Sequence, residues 1–359
     1  MTKLSFDNLV LFTFRQKYNN VLIYLHTSRL VINKFYGGGY MKGATAVTAE
    51  VAVRRKENKK AYYKRYWQLY ALLLLPMIYF FVFKYEPMWF VQIAFKEFKI
   101  GKSVFEMPWT DNYGFKYFIQ AFSNRDFLYS LRNTLLLNIL DLIVGFPVPI
   151  IFALILNELR LKKFKKCVQT IAYMPHFLSW IIIYGLALQL FAPSDGLINM
   201  VFEALGWAKV PFLDSPNHWV GTYIGLGVWQ SFGWNSIVYL AAMAGISPEL
   251  YEAASVDGAG RFKKMWHITL PGIKPTIVVL LIMQLGNILG SNFDRPYALQ
   301  NNLVMSTANV ISTFVYKNGI RGSQFELTTA VGLFQSIICV FFLLFANWLS
   351  RKFGERGIW

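Results

Sequence analysis

Several stretches of this chain approach the roughly 20 consecutive apolar residues that a helix needs to cross a bilayer. They fall at about 67–85, 128–156, 168–191, 219–246, 273–289 and 330–349. No other feature restricts the fold as much. Hydrocarbon offers no water to bond backbone N–H and C=O groups, so a spanning segment must satisfy them itself. Composition agrees: the chain is 55% hydrophobic and only 15% charged, against roughly 25% charged in soluble domains. Its mean hydropathy is +0.37. The expected fold class is an all-α polytopic membrane protein.

The formal net charge is +17. In a soluble protein that would point to nucleic acid. Here the cations gather beside the apolar runs and read as cytoplasmic loops facing anionic lipid, with no nucleic acid partner. The clusters are Arg54, Arg55, Lys56, Lys59, Lys60, Lys64 and Arg65; Arg160, Lys162, Lys163, Lys165 and Lys166; Arg261, Lys263, Lys264 and Lys274; and Arg351, Lys352 and Arg356. Residues 86–127 hold five acids and five bases, and 192–218 and 291–328 have no such excess, so these read as outer loops. Within 86–127, short helices are expected around residues 113–123. Six spans with both termini cytoplasmic keep every basic loop inside. Pro147 and Pro149 are expected to kink the second span.

The first 63 residues read as a cytoplasmic tail, and residues 64–359 as the membrane domain. The apolar patches at 9–14 and 21–25 are too short to span, and no small-residue cleavage site follows them. Gly37, Gly38 and Gly39 precede Met41. A purine-rich ribosome-binding site would translate to such a run, so residues 1–40 are read as an extension upstream of a start at Met41, or else as a surface-lying tail.

Residues 247–272 form a polar loop, basic in its second half, between two apolar runs. Ser247, Pro248 and Glu249 read as a helix start: a cap, a first-turn proline and an acid at the positive end. Gly258 and Gly260 break that helix, since glycine accepts φ > 0. A second short helix is expected over 261–270, stopped by Pro271 and Gly272. Small Ala253 and Ala254 allow close approach by another protein. Nothing in the loop performs covalent chemistry, so docking is its natural role.

Glu252, Ala253, Ala254, Gly258, Ile268, Leu270 and Pro271 fit without a gap the pattern E-A-A, three residues, G, nine residues, I-x-L-P. This resembles the permease subunits of binding-protein-dependent ABC importers. Three more stretches resemble the oligosaccharide, maltose-permease-like branch: Y-M-P-H-F-L-S-W at 173–180, P-S-D-G-L-I-N at 193–199 and A-V-G-L-F-Q-S at 330–336. The resemblance covers residues from about 64 to the end. It implies a type I importer permease fold in the bacterial cytoplasmic membrane, with a coupling helix that enters a cleft on a separate ATPase. The docking residues would be Glu252, Ala253, Ala254, Asp257, Gly258, Gly260, Ile268, Leu270 and Pro271. Implied partners are a second homologous permease, two ATP-binding subunits, an extracellular solute-binding protein and an oligosaccharide, with aldouronate-type glycans among the candidates.

No G-x-x-x-x-G-K-[ST] phosphate loop occurs in the sequence. ATP and Mg would therefore be used by the partner ATPase, and no cofactor is expected in this chain. Four widely spread histidines show no metal-ligand spacing, and Cys167 and Cys339 imply no disulfide framework. No nucleophile–base arrangement appears, so the chain is expected to be non-catalytic.

Polar side chains inside a membrane face a cavity or a neighbouring helix. Gln284, Asn287 and Ser291 fall at i, i+3 and i+7, on one helix face. Trp229, Gln230, Phe232, Trp234 and Asn235 cluster near the middle of the fourth run. A sugar path needs aromatic platforms beside amides, and these eight residues are its candidates. Their alternative is helix–helix glue. Asp141, with Asn138 and Gly145 on its face, reads as a lone acid without a basic partner in the membrane. A proton relay would make the chain an ion-coupled secondary transporter, which also predicts inverted repeats and paired charges. Without a basic partner the relay has weak support, and the acid reads instead as buried against polar neighbours of the partner subunit or placed near a water-filled end. His176, after Pro175, is either structural or ligand-facing.

Overall fold

The computed structural model describes residues 59–352, apart from 100 and 291, together with 354, 357 and 358. The expectations for the tail, for a start at Met41 and for Ser291 and Arg356 lie outside the described residues. The chain divides into two compact units, one ending at Lys84 and one beginning at Tyr85. In the first, α1 (Lys59–Phe80) continues into a π turn that begins at Phe81. Tyr79 and Phe83, one turn apart, bring their rings to 5.1 Å.

In the second unit, the expected small element within 86–127 is present. A 3₁₀ stretch, Glu86–Phe95, leads to a single antiparallel bridge between Lys96 and Trp109. Lys96 is buried: its ammonium donates to the Val104 carbonyl at 2.9 Å and lies 5.4 Å from the Trp109 ring centre. Helix α2 (Lys116–Ser123) follows, as expected from the sequence.

Asn124 caps α3 (Arg125–Leu140), its side chain accepting from the Asp126 N–H at 2.8 Å. A π turn, Asp141–Gly145, joins α3 to α4 (Pro147–Glu158), and together they make one apolar span, 125–158. The irregularity expected of Pro147 and Pro149 is thus a widened turn just before them. Such a turn absorbs the missing proline N–H groups without breaking the rod.

The expected third span proves to be two helices. α5 (Lys162–Tyr173) ends in a 3₁₀ turn, Met174–Phe177, and α6 (Trp180–Phe191) leaves at 104°. Pro175 removes an N–H, Leu178 and Ser179 are extended, and the Ser179 hydroxyl accepts from the Ile182 N–H to start the new helix.

After α7 (Leu197–Ala204) comes α8 (Pro216–Ala244), the fourth expected span, 29 residues long. At 1.5 Å per residue it reaches roughly 40 Å. Its amides, hydroxyls and glycines set it apart from the four stretches that are long and apolar enough to cross a membrane, 63–95, 125–158, 261–286 and 325–352. By apolarity the described residues hold four spans, or five if the bent pair counts as one, where six were expected from charge.

Helix α9 (Pro248–Val256) is followed by a continuous rod: α10 (Arg261–Lys264), a π turn Met265–Thr269, and α11 (Leu270–Gly286). The expected stop at Pro271 and Gly272 is corrected here. Pro271 sits in the first turn of α11, where its missing N–H costs little, and the π turn before it supplies the slack. The remaining elements are α12 (Asp294–Leu299), α13 (Met305–Ala308), α14 (Ile311–Val315) with a π turn Tyr316–Arg321, and α15 (Phe325–Lys352). Apart from the Lys96–Trp109 bridge, the described residues contain no strand pairing.

Three apolar clusters hold the second unit. One gathers Leu137, Trp180, Ile183, Trp219 and Tyr223 with Leu299 and Val304 of the 294–321 segment. Another joins Phe127, Leu289, Ile311, Phe314, Leu327 and Val331. A third joins Ala153, Tyr239, Met243 and Ile273. The 294–321 segment is also fixed by buried polar ties to α3. Asn133 donates to the carbonyls of Ser306 and Asn309 at 2.9 and 3.0 Å, and the Thr134 hydroxyl accepts from the Ile311 N–H at 2.9 Å. Helices α5 and α8 cross closely because Gly233 has no Cβ; one would collide with the Ala172 carbonyl.

Candidate functional site

Two places bear on function, and α11 runs between them. Its 17 residues make a rod roughly 25 Å long, with the loop at its N-terminal end and Leu280, Met283 and Gln284 of its C-terminal half at the cavity.

The first is the loop 247–272. Ser247 stands in extended geometry with Pro248 after it, as a helix start requires, but its side chain makes no cap hydrogen bond. Gly258 has φ +74°. The Ala259 N–H reaches back to the Ala254 carbonyl at 2.8 Å, and the Gly258 N–H to that of Ser255 at 3.1 Å. This is the Schellman ending, whose left-handed residue is glycine because a Cβ is penalised there. No heavy atom would crowd a Cβ at Gly258, so the requirement is purely of backbone. Gly260 differs from Gly258: it is extended, at φ −70°, and opens α10. The loop is tied to its own rod by Tyr251, whose hydroxyl lies 2.9 Å from the Thr269 hydroxyl, and by Lys264, which donates to the Ser255 hydroxyl at 2.5 Å. Ile246 fills the notch left by Gly272.

So held, the loop presents its motif outward. Glu252, Ala253, Asp257, Gly258, Gly260 and Pro271 are exposed, while Ala254, Ile268 and Leu270 are half-buried. Leu250, Val256, Phe262 and Trp266 are exposed as well, Val256 at 88% and Phe262 at 83%. Exposed apolar side chains on a loop that also carries three acids and three bases make a surface suited to another protein.

The second place is a cavity of about 490 Å³ between α3–α4, α8 and α11. Of the candidate pathway residues, Asn235, Gln284 and Asn287 line it. None of these three side chains hydrogen-bonds another described residue. The remaining described candidates, Trp229, Gln230, Phe232 and Trp234, do not line it. Phe232 packs edge-on against Phe152 at 5.0 Å. Trp234 stacks on His176, with centroids 4.6 Å apart and planes 4° from parallel, which gives His176 a packing role. The structure therefore gathers three of the four candidate amides at the cavity, leaves Gln230 off it, and turns Phe232 and Trp234 to helix contacts.

Asp141 also lines the cavity, and it is not alone. Arg295 donates to both carboxylate oxygens, Nη1 to Oδ2 at 2.7 Å and Nη2 to Oδ1 at 3.2 Å. The same Nη2 donates to the Tyr223 carbonyl at 2.5 Å, and the guanidinium centre lies 3.7 Å from the Tyr223 ring centre. Gly227 makes the room, since a Cβ there would collide with the guanidinium. The expectation of a lone acid is corrected. The partner lies in a segment that reads from sequence as an outer loop, 154 residues further along the chain. Its only signal is position: Arg295 follows the end of an apolar run by a few residues, within reach of neighbouring helices. Ser231, donating to Gly227, also lines the cavity and is not among the residues expected there.

Residues 128–355 match the family described as binding-protein-dependent transport system inner membrane component. The match covers well over half of the chain. This chain belongs to that family. It is 41% identical to the polygalacturonan/rhamnogalacturonan transport system permease protein YteP of Bacillus subtilis (strain 168), over 88% of this chain and 98% of the relative. It is 42% identical to protein LplB of the same organism, over 82% and 92%. Among solved structures, it resembles a chain of a bacterial alginate ABC transporter in complex with an alginate pentasaccharide-bound periplasmic protein. There the TM-score is 0.75 at 40% identity, covering 84% of this chain and all of that one. Relatives of this kind are permease components, so the chain is a non-catalytic membrane component. Membership decides for an ABC permease over an ion-coupled secondary transporter.

Proposed function

We propose that the chain forms one half of the membrane pathway of an ATP-driven oligosaccharide importer and docks a separate ATPase through residues 247–272. A second, homologous permease supplies the other half. Two ATP-binding subunits bind beneath, and an extracellular solute-binding protein delivers the sugar. The chain lies in the bacterial cytoplasmic membrane, crosses it six times and keeps both termini inside. The sugar class follows from relatives named for transport of galacturonans, alginate and, at 30% identity, arabino-oligosaccharides.

The observation that carries the docking role is the Gly258 ending of α9. It sets a short exposed helix, with Leu250 and Val256 outward, at one fixed angle to the α10–α11 rod. When ATP closes the ATPase dimer, the loop moves with it, and the rod delivers that motion to its own cavity-lining face at Leu280, Met283 and Gln284. Glu252 and Asp257 meet the motor, and Ala253 and Ala254 let it approach. At the cavity, Asn235, Gln284 and Asn287 offer donors and acceptors to sugar hydroxyls. Trp229, Gln230, Phe232, Trp234 and Ser291 remain candidate pathway residues for states in which the helices move.

Uptake in cells carrying the whole importer tests this. Glu252→Ala and Gly258→Val are expected to reduce uptake to background while the chain inserts at the normal level. A β-branched residue at φ +74° costs about 1–2 kcal/mol and unseats the turn. Full uptake by Gly258→Val would refute the docking role.

A further inference from the structure

We propose that the Asp141 carboxylate is a hydroxyl-binding group of the cavity, and that Arg295 is the residue that positions it. The proposal rests on the reading of the cavity as a saccharide path, and it assigns the group in that path that binds most strongly.

The pair is lopsided. The Arg295 side chain is sunk against Tyr223 and Gly227 at 9% exposure, whereas that of Asp141 is 23% exposed. The carboxylate is therefore the half of the pair that the cavity sees. An ionised carboxylate has about four acceptor positions. Arg295 occupies one on each oxygen, which leaves two for a ligand. The two-pronged bond also fixes the plane of the carboxylate, so no side-chain freedom is lost when a ligand arrives. The π turn Asp141–Gly145 brings the group to the wall, and the α8 notch at Gly227 seats its partner.

The ligand chemistry follows. Two free positions on neighbouring oxygens suit a pair of hydroxyl donors on adjacent sugar carbons. Hydrogen bonds to a charged acceptor are roughly twice as strong as those between neutral groups. Asn235, Gln284 and Asn287 border the same cavity and can bond the remaining hydroxyls. A sugar unit bearing its own carboxylate would turn its hydroxyl face, not its acid, towards Asp141.

Removing one member alone would strand a buried charge and endanger assembly. The informative variants are therefore Asp141→Asn with Arg295→Met, which removes both charges, and Asp141→Arg with Arg295→Asp, which exchanges them. The test is equilibrium binding of trigalacturonate and arabinotriose to the purified complete permease–ATPase complex without its solute-binding protein, beside uptake with it. For whichever trisaccharide binds the native complex, both double variants are expected to assemble and to weaken binding by about tenfold or more. A purely structural strut would be restored by the exchange, so native affinity in the exchanged variant overturns the proposal. So does native affinity in the neutral variant. Uptake by a native complex that binds neither sugar overturns the assignment but leaves the saccharide path standing. Neither binding nor uptake brings down both.

Discussion

Single residues set the geometry here through what they lack. Gly258 is needed for its backbone, in open surroundings; Gly227 is needed for the space it leaves to a guanidinium. The two predict different failures. Gly227→Ala would drive Arg295 off Asp141 and leave two charges poorly paired in a buried place, a loss of about 3–5 kcal/mol. A drop in the thermal midpoint of the purified complex would register it, and an unchanged midpoint would mean that the notch is not needed. Of these two glycines only Gly258 is legible in the sequence, because its role is local and a cap motif announces it. Gly227 acts on a side chain 68 residues away, and nothing in the intervening chain marks that meeting. The pairing of Asp141 is hidden for the same reason. Its arginine lies just beyond an apolar run and reaches back into the membrane segment.

Elements are legible where apolarity and helix punctuation agree. The long rods around α3–α4, α11 and α15 follow from their apolar runs. The proline signals prove ambiguous: Pro175 accompanies a 104° break, whereas Pro147 and Pro271 lie just beyond π turns inside rods that continue. Proline removes a donor in each case, and the outcome depends on whether neighbouring turns can widen. The 294–321 segment is unreadable as structure, since its short helices are held by tertiary ties more than by propensity. Asn133 is the plainest of these ties. Asn133→Ala leaves the Ser306 and Asn309 carbonyls without that donor, at a cost of about 1–3 kcal/mol. Limited proteolysis should then cut within 294–321 sooner than in the native chain. Equal cutting rates would mean that the segment is held by its apolar contacts alone.

At the scale of the whole second unit, a rod joins an exposed loop at one end to a polar cavity near the other. That layout is the one the proposed docking role requires. The E-A-A motif and the Gly258 turn that ends α9 are readable from the order of amino acids alone, because a helix ending is set by its own few residues. The cavity is only partly readable: three of the seven described candidate pathway residues line it, since helix periodicity shows which residues share a face but not which neighbour that face meets.

The most direct measurement is a cross-link from the tip of the loop. Val256→Cys, in a chain whose Cys167 and Cys339 are replaced by alanine, puts a single thiol on the most exposed apolar side chain of the loop. With a short bifunctional reagent, the account predicts a cross-link to an ATP-binding subunit, with a yield that changes when ATP is added. Labelling of that thiol from outside intact cells by a membrane-impermeant maleimide, with no cross-link to the ATPase, would contradict it.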